Sequence, residues 1–223
     1  MRLILFLLSF AIHADLSNNI DIHKEKYEKL ALEIWSLAEM GYLETKSSKL
    51  LQDTLNDSGF KVKSGIADIP TAFVAEYNNG GPVIGILAEF DALPGLSQEA
   101  GITKHKPIEN NTNGHGCGHN LLGAASLLAA TAIKDWLLQN NFKARVRYYG
   151  CPAEEGGAAK TYMARDGFFD NVAVTKYCTP KLTEITMTGG TFQVGETVIG
   201  TTSDGRELIR FRVCLLYTSP SPR

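Results

Sequence analysis

Cys117 stands between His115 and His119 on a glycine-rich run, Gly114-His115-Gly116-Cys117-Gly118-His119-Asn120. A thiolate and an imidazole two residues apart are strong donors for zinc-like ions, and glycine lets the backbone bend until both face one ion. Two further stretches carry acids. Glu89 and Asp91 arrive where the apolar run Val83 to Leu87 ends. Two residues apart on an extended chain, their carboxylates point the same way. Glu154 and Glu155 follow a second apolar run, Ala144 to Tyr149. Adjacent carboxylates repel, and a cation beside them relieves that repulsion. Each acidic stretch taken alone could simply cap the next helix. Three chemically matched stretches, each at a strand-to-helix turn, form a constellation.

The elements that must position them follow from periodicity. His23 to Gly41 places Tyr27, Leu30, Ala31, Ile34 and Ala38 on one face of a helix. A second helix is expected from about Ser47 to Ser58 with Gly59 as its cap, and a third over Leu121 to Leu138. Residues 72–77 and 82–90 read as strands, and the Asn78-Asn79-Gly80-Gly81 turn between them predicts a hairpin. Residues 95–118 form a long loop, then come a strand over 144–149 and a helix over 158–165. Strands alternating with helices imply a mostly parallel sheet covered on both faces, with ligands beyond the strand C-termini.

With those motifs in place, the sequence resembles the amidohydrolase branch of metallopeptidase family M-twenty. The runs Leu87 to Gly95, Gly114 to Asn120 and Cys151 to Gly157 carry the likeness, over roughly residues 21–175. Within the family it is most similar to the aminobenzoyl-glutamate utilization group, whose turn has this Gly-His-Gly-Cys-Gly-His-Asn form. The resemblance implies a three-layer α/β/α sandwich of the zinc-exopeptidase type. It further implies a metal-dependent amidohydrolase that cleaves an N-acyl amino acid or dipeptide amide bond. An aminobenzoyl-glutamate-like substrate leads; dipeptides containing lysine or β-alanine, or a non-catalytic metal-binding remnant, are the alternatives. Two divalent ions, zinc or manganese with cobalt also suited, are the implied cofactors. Cys117, His119 and Glu155 correspond to metal ligands, Glu154 to the general base and Asp91 to the residue that orients a ligating histidine. Glu89 occupies a position where other branches hold a metal-binding histidine, and His115 is open between supporting the site and being solvated. His23 and His105 read as surface residues.

Composition sets the outer bounds. The chain has 223 residues, 44% hydrophobic and 21% charged, with a net charge of −2. That is ordinary for a globular domain and gives no electrostatic footprint for nucleic acid or an anionic membrane. Met1-Arg2 and the apolar run Leu3 to Ile12 have the form of a signal peptide ending near Ala14, too short to span a bilayer at ~20 residues. A periplasmic or secreted protein is therefore expected, with no membrane association after cleavage. The four cysteines, Cys117, Cys151, Cys178 and Cys214, lack any paired spacing, and Cys151 reads as a small packed residue. A cysteine-nucleophile amidase built on Cys117 is a rival reading, but surrounding acids would raise the thiol's pKa and disarm it.

The expected organisation is a signal peptide over 1–14, the first segment of a metal-hydrolase catalytic domain over 15–182, and the possible start of a lid domain over 183–212. Residues 213–223 have the look of translated sequencing adapter. The family's lid and dimerisation domain, which would make the full-length protein a homodimer, is expected to be missing beyond any start over 183–212, and no histidine follows His119. Near Thr175-Lys176-Tyr177-Cys178-Thr179-Pro180 the family carries another histidine ligand in a Trp-His-Pro-like segment; this sequence has no histidine there, and Cys178 is the one soft donor in the stretch. The chain thus reads as a fragment, inactive by itself.

Overall fold

A computed structural model describes residues 2–108 and 112–172 and the strands 197–201 and 207–212, with residues 2–17 and the two late strands given by backbone alone. The chain divides into two compact units, Met1–Ala173 and Val174–Arg223.

In the first unit, α1 (Arg2–Leu37) presents the anticipated face. Tyr27, Leu30, Ala31 and Ile34 are buried there, together with Ala38 just past its end. This face packs against α3 (His119–Gln139), and the Tyr27 hydroxyl meets Thr131 Oγ1 at 2.6 Å. Helix α3 is long and apolar enough to cross a membrane by length and composition, but here its buried positions lie in the core. Helix α2 (Thr45–Asp57) buries Leu51 and Leu55 and ends in Gly59 at φ +84°. Its free N-terminal amides are met from outside the helix: the Glu39 carboxylate accepts from Lys46 N at 3.1 Å and Ser47 N at 2.7 Å. His23 is half-buried and paired with Asp135 at 2.7 Å, which corrects its reading as a plain surface residue; His105 is exposed.

Four strands, β1 (Lys61–Ser64), β2 (Phe73–Asn78), β3 (Val83–Ala88) and β4 (Arg145–Gly150), form a sheet in the order β1-β2-β4-β3. The expected hairpin does not form. Strand β4 inserts between β2 and β3, antiparallel to the first and parallel to the second. The glycine turn bridges that gap instead of closing a ladder. Asn79 N bonds Ala144 O at 3.4 Å, and a side chain on Gly81 would strike Lys143 O at 2.2 Å. The sheet is consequently mixed, with one parallel pair, rather than mostly parallel. Strand β1 and a 3-10 turn at Ile66–Asp68 are not legible in the sequence, since neither carries a run of apolar residues.

Both sheet faces are covered, as a three-layer architecture requires. On one face Phe73, Ala75, Val146 and Tyr148 join the side chains of α1, α2 and α3. On the other, Val83, Tyr149 and Cys151 meet Ile66, Met163 and Val172; Met163 lies on the short helix α5 (Ala159–Arg165). Alternation along β4 decides this split, Tyr148 going to one core and Tyr149 to the other. In the second unit, β5 (Thr197–Thr201) pairs antiparallel with β6 (Glu207–Arg212). Cys178 and the segment 175–180 lie outside the described residues.

Candidate metal centre

The parallel pair β3–β4 ends both strands at the same level, Ala88 beside Gly150. The residues that follow each strand therefore emerge side by side. Helix α3 begins next to them, because Gly123 lets the helix approach the strand end. A Cβ there would sit 3.0 Å from Glu89 O. Gly118, at φ +83°, turns the chain into the helix and delivers His119 at its first position.

His119 is the centre of the arrangement. It is 4% exposed, and its Nδ1 lies 2.9 Å from Asp91 Oδ1. A carboxylate only accepts, so Nδ1 carries the proton in the neutral ring and Nε2 turns its lone pair outward. Around Nε2 are Glu89 Oε2 at 3.1 Å and Glu154 Oε2 and Glu155 Oε1, each at 3.9 Å. Asp91 is buried and uses both oxygens: Oδ2 accepts the backbone N–H of Glu155 at 3.0 Å. One carboxylate thus ties the α3 histidine to the turn after β4. Burial works against its charge, but the bonds from His119 and the Glu155 amide hold Asp91 below the usual carboxylate range. Burial likewise disfavours a charged His119, and the Asp91 carboxylate outweighs it, carrying the imidazole above its ordinary value.

Two three-donor groups have donor atoms within 4.8 Å of one another: Cys117 with His119 and Glu155, and Glu89 with His119 and Glu154. Soft thiolate, imidazole and carboxylate suit a zinc-like ion, so the donor set fits a divalent metal. Both groups need His119, so the described residues complete three donors for one ion at a time. Glu89 is also ion-paired with Lys160 of α5, whose ammonium is pushed down by burial. Cys117 is exposed and free, and its hydrogen bond with Glu155, followed by burial and that residue's charge, raises its thiol above the ordinary value. A raised thiol speaks against the cysteine-nucleophile reading.

The five residues singled out from sequence, Asp91, Cys117, His119, Glu154 and Glu155, converge on this one place. His115 belongs to neither donor group. The ring is buried, with Nε2 3.1 Å from Ile34 O and Trp35 alongside at 6.2 Å, so it pins the loop to α1 and is not solvated. It also interacts with the Asp91 backbone, which places it in support of the site. Cys151 is fully buried and its thiol is pushed up to about 12 by burial, as a packed residue would be. Sequence reasoning missed Glu44 and Tyr42. Glu44 Oε1 accepts the Ala153 N–H at 2.7 Å, and the Tyr42 hydroxyl donates to Gly157 O at 2.6 Å. A glutamate just before a helix reads as an ordinary first-turn acid, and nothing in the sequence marks this one as buried.

No family model matches the chain. One of the subunits of the p-aminobenzoyl-glutamate hydrolase of Escherichia coli is 44% identical over 161 residues, which is 72% of this chain and 34% of that protein. The hippurate hydrolase of Campylobacter jejuni is 32% identical over 151 residues, 68% of this chain and 37% of that protein. The chain spans about a third of the length of these curated relatives. Among solved structures, a dinuclear metal-binding peptidase of family M-twenty from Bacillus subtilis superposes with a TM-score of 0.57 at 22% identity, over 68% of this chain and 41% of that one.

Proposed function

The chain belongs to the M-twenty family of metallopeptidases, and from that premise we propose that the protein is a metal-dependent amidohydrolase acting on an N-acyl amino acid. The observation that carries this reading is His119 Nε2, facing three carboxylates while Nδ1 is held by Asp91. The aminobenzoyl-glutamate specificity in the name of the Escherichia coli relative makes an aryl-acylated glutamate the favoured substrate. Two divalent ions, one of them held by Cys117, His119 and Glu155, would polarise the scissile carbonyl and lower the pKa of water at the site toward ~7.

The chain's own residues then divide the work. Asp91 keeps the His119 ring in one tautomer and orientation, as partners of ligating histidines do. Glu154 is more exposed than Glu155, 39% against 24% at the side chain, and stands free to take a proton from the attacking water and hand it to the departing amine. Zinc, manganese or cobalt binding by the chain, read by calorimetry, tests the ligand set. Release of glutamate from aminobenzoyl-glutamate by a full-length form tests the reaction. Loss of neither on replacing His119 by alanine would refute the reading. Export rests on the Met1 to Ala14 segment, and recovery of secreted protein that retains Met1 would reject it. A homodimer of the full-length protein completes the proposal, and sedimentation as a monomer would reject that part.

A further inference from the structure

The Glu154–Glu155 turn is an unfavourable piece of backbone. Ala153, at φ +53°, and Ala158, at φ +49°, both sit in the left-handed region, with α4 (Glu154–Gly157) a single turn between them. Such conformations cost of order 1 kcal/mol or more for a residue with a side chain and persist only when neighbours impose them. The neighbour here is the segment between α1 and α2. Glu44 Oε1 accepts the Ala153 N–H, and the Tyr42 hydroxyl holds Gly157 O, one contact at each end of the turn. Gly41 packs directly beneath: a Cβ on it would lie 3.0 Å from both Ala153 Cα and Cβ.

Glu44 is unusual for a carboxylate. It is fully buried, and its second oxygen, Oε2, has no hydrogen-bond partner among the described residues. A buried carboxyl with an unsatisfied oxygen is costly, and helix α2 gains nothing from it, because the Glu44 side chain does not cap the helix. Its hydrogen bond to a distant part of the chain goes to the residue before the acidic pair, with Thr71 close beside the carboxyl.

We propose that Glu44 is a positioning residue for the metal centre: by accepting the Ala153 N–H it fixes the left-handed bend that presents Glu154 and Glu155 to His119. Asp91 grips the same turn a little further on, at the Glu155 amide. The two carboxylates therefore grip the turn on either side of Glu154, and losing Glu44 leaves it held at the Glu155 amide and at Gly157 O but no longer at Ala153, where the left-handed bend begins. This rests on Glu155 being a ligand, as proposed above.

Cobalt(II) titration of the 223-residue chain tests it, using the Cys117 thiolate-to-cobalt absorption and the visible ligand-field bands as separate readouts. Glu44→Leu keeps volume but has no acceptor. It should bind cobalt about 10-fold more weakly, the low end for residues that support a ligand. Its thiolate band should survive at saturation while the ligand-field bands change. Glu44→Gln retains an acceptor for the Ala153 N–H and should bind within about twofold of the parent. Gly41→Ala presses on Ala153 without touching Glu44, and it should weaken binding in the same direction. Glu155→Gln is the control for the ligand itself. Weak binding by Glu155→Gln with parent-like binding by Glu44→Leu would overturn the positioning role and leave the ligand role standing. Parent-like binding by Glu155→Gln would instead overturn the ligand assignment, and the positioning role with it. If Glu44→Leu does not fold, Glu44→Gln decides alone: a loss equal to that of Glu155→Gln would overturn the proposal, since the acceptor is still present.

Discussion

The turns after β3 and after β4 bring the same chemistry to one place by opposite means. After β3 the acid that matters most, Asp91, is buried, and both its oxygens are engaged, one by His119 and one by the Glu155 amide. After β4, Glu154 and Glu155 are partly exposed, and the backbone between Ala153 and Ala158 is held from outside by Glu44 and Tyr42. The first turn is rigid through its own side chain, and the second is rigid only through its neighbours. A fixed carboxylate suits orienting a ligand, whereas carboxylates that must meet an ion or a moving proton need room at their tips. The difference also places the cost. Asp91 sits in a satisfied network, while beneath the second turn Glu44 Oε2 is buried without a hydrogen-bond partner among the described residues.

The largest expected effect falls on the exposed side of that comparison. In a full-length, active form, Glu154→Gln should lower turnover ~10²–10⁴-fold while metal content stays the same, because an amide cannot take the proton. Steady-state rates alongside metal analysis read both quantities. Unaltered turnover would put Glu154 among the structural acids and erase the contrast between the two glutamates.

The brace beneath the second turn should show itself in pH. Burial pushes Glu44 up to about 7 from 4.5, against the pull of its bond to Ala153 N–H, so the folded chain holds a proton that the unfolded chain has released. Stability from this group is then fully present below about 4.5 and is lost as pH rises through about 7. At 1.36 kcal/mol per unit the loss is about 3 kcal/mol as an upper figure. Glu44→Gln should flatten this part of the profile. Urea unfolding of both proteins at pH 5 and at pH 8 measures the difference, and parallel profiles would show that Glu44 does not titrate in this range.

Asp91→Asn attacks the self-held turn. The amide can satisfy only one of its two present partners as an acceptor, so either His119 or the Glu155 amide is released. Zinc affinity should fall ~10–100-fold in competition with a chromophoric chelator. A smaller fall than that from Glu44→Leu would reverse the ranking of the two turns. The smallest effect belongs to Tyr42→Phe, which deletes one half-exposed hydrogen bond to Gly157 O. It should cost ~0.5–1.5 kcal/mol in thermal or urea unfolding, with cobalt binding nearly unchanged.

What the sequence determined by itself was whatever depends on near neighbours in the chain. The buried face of α1, the Gly59 cap and the start of α3 at the glycine turn follow from local spacing and local backbone freedom. So does the pairing of Glu89 with Asp91 toward one imidazole, since alternation on an extended chain fixes it within three residues. The tertiary structure decided what depends on distant partners. Strand β4 lies between β2 and β3 because its pairing joins residues far apart in the chain, such as Ala75 with Tyr148, which a tempting Asn-Gly-Gly turn cannot reveal. His115 and His119, close together on one motif, part company because one ring finds Ile34 O and the other finds Asp91. Glu44 becomes a buried acceptor only once Ala153, 109 positions away, is folded against it. Local chemistry nominates a side chain; burial and hydrogen-bond partners supplied across the fold decide its work.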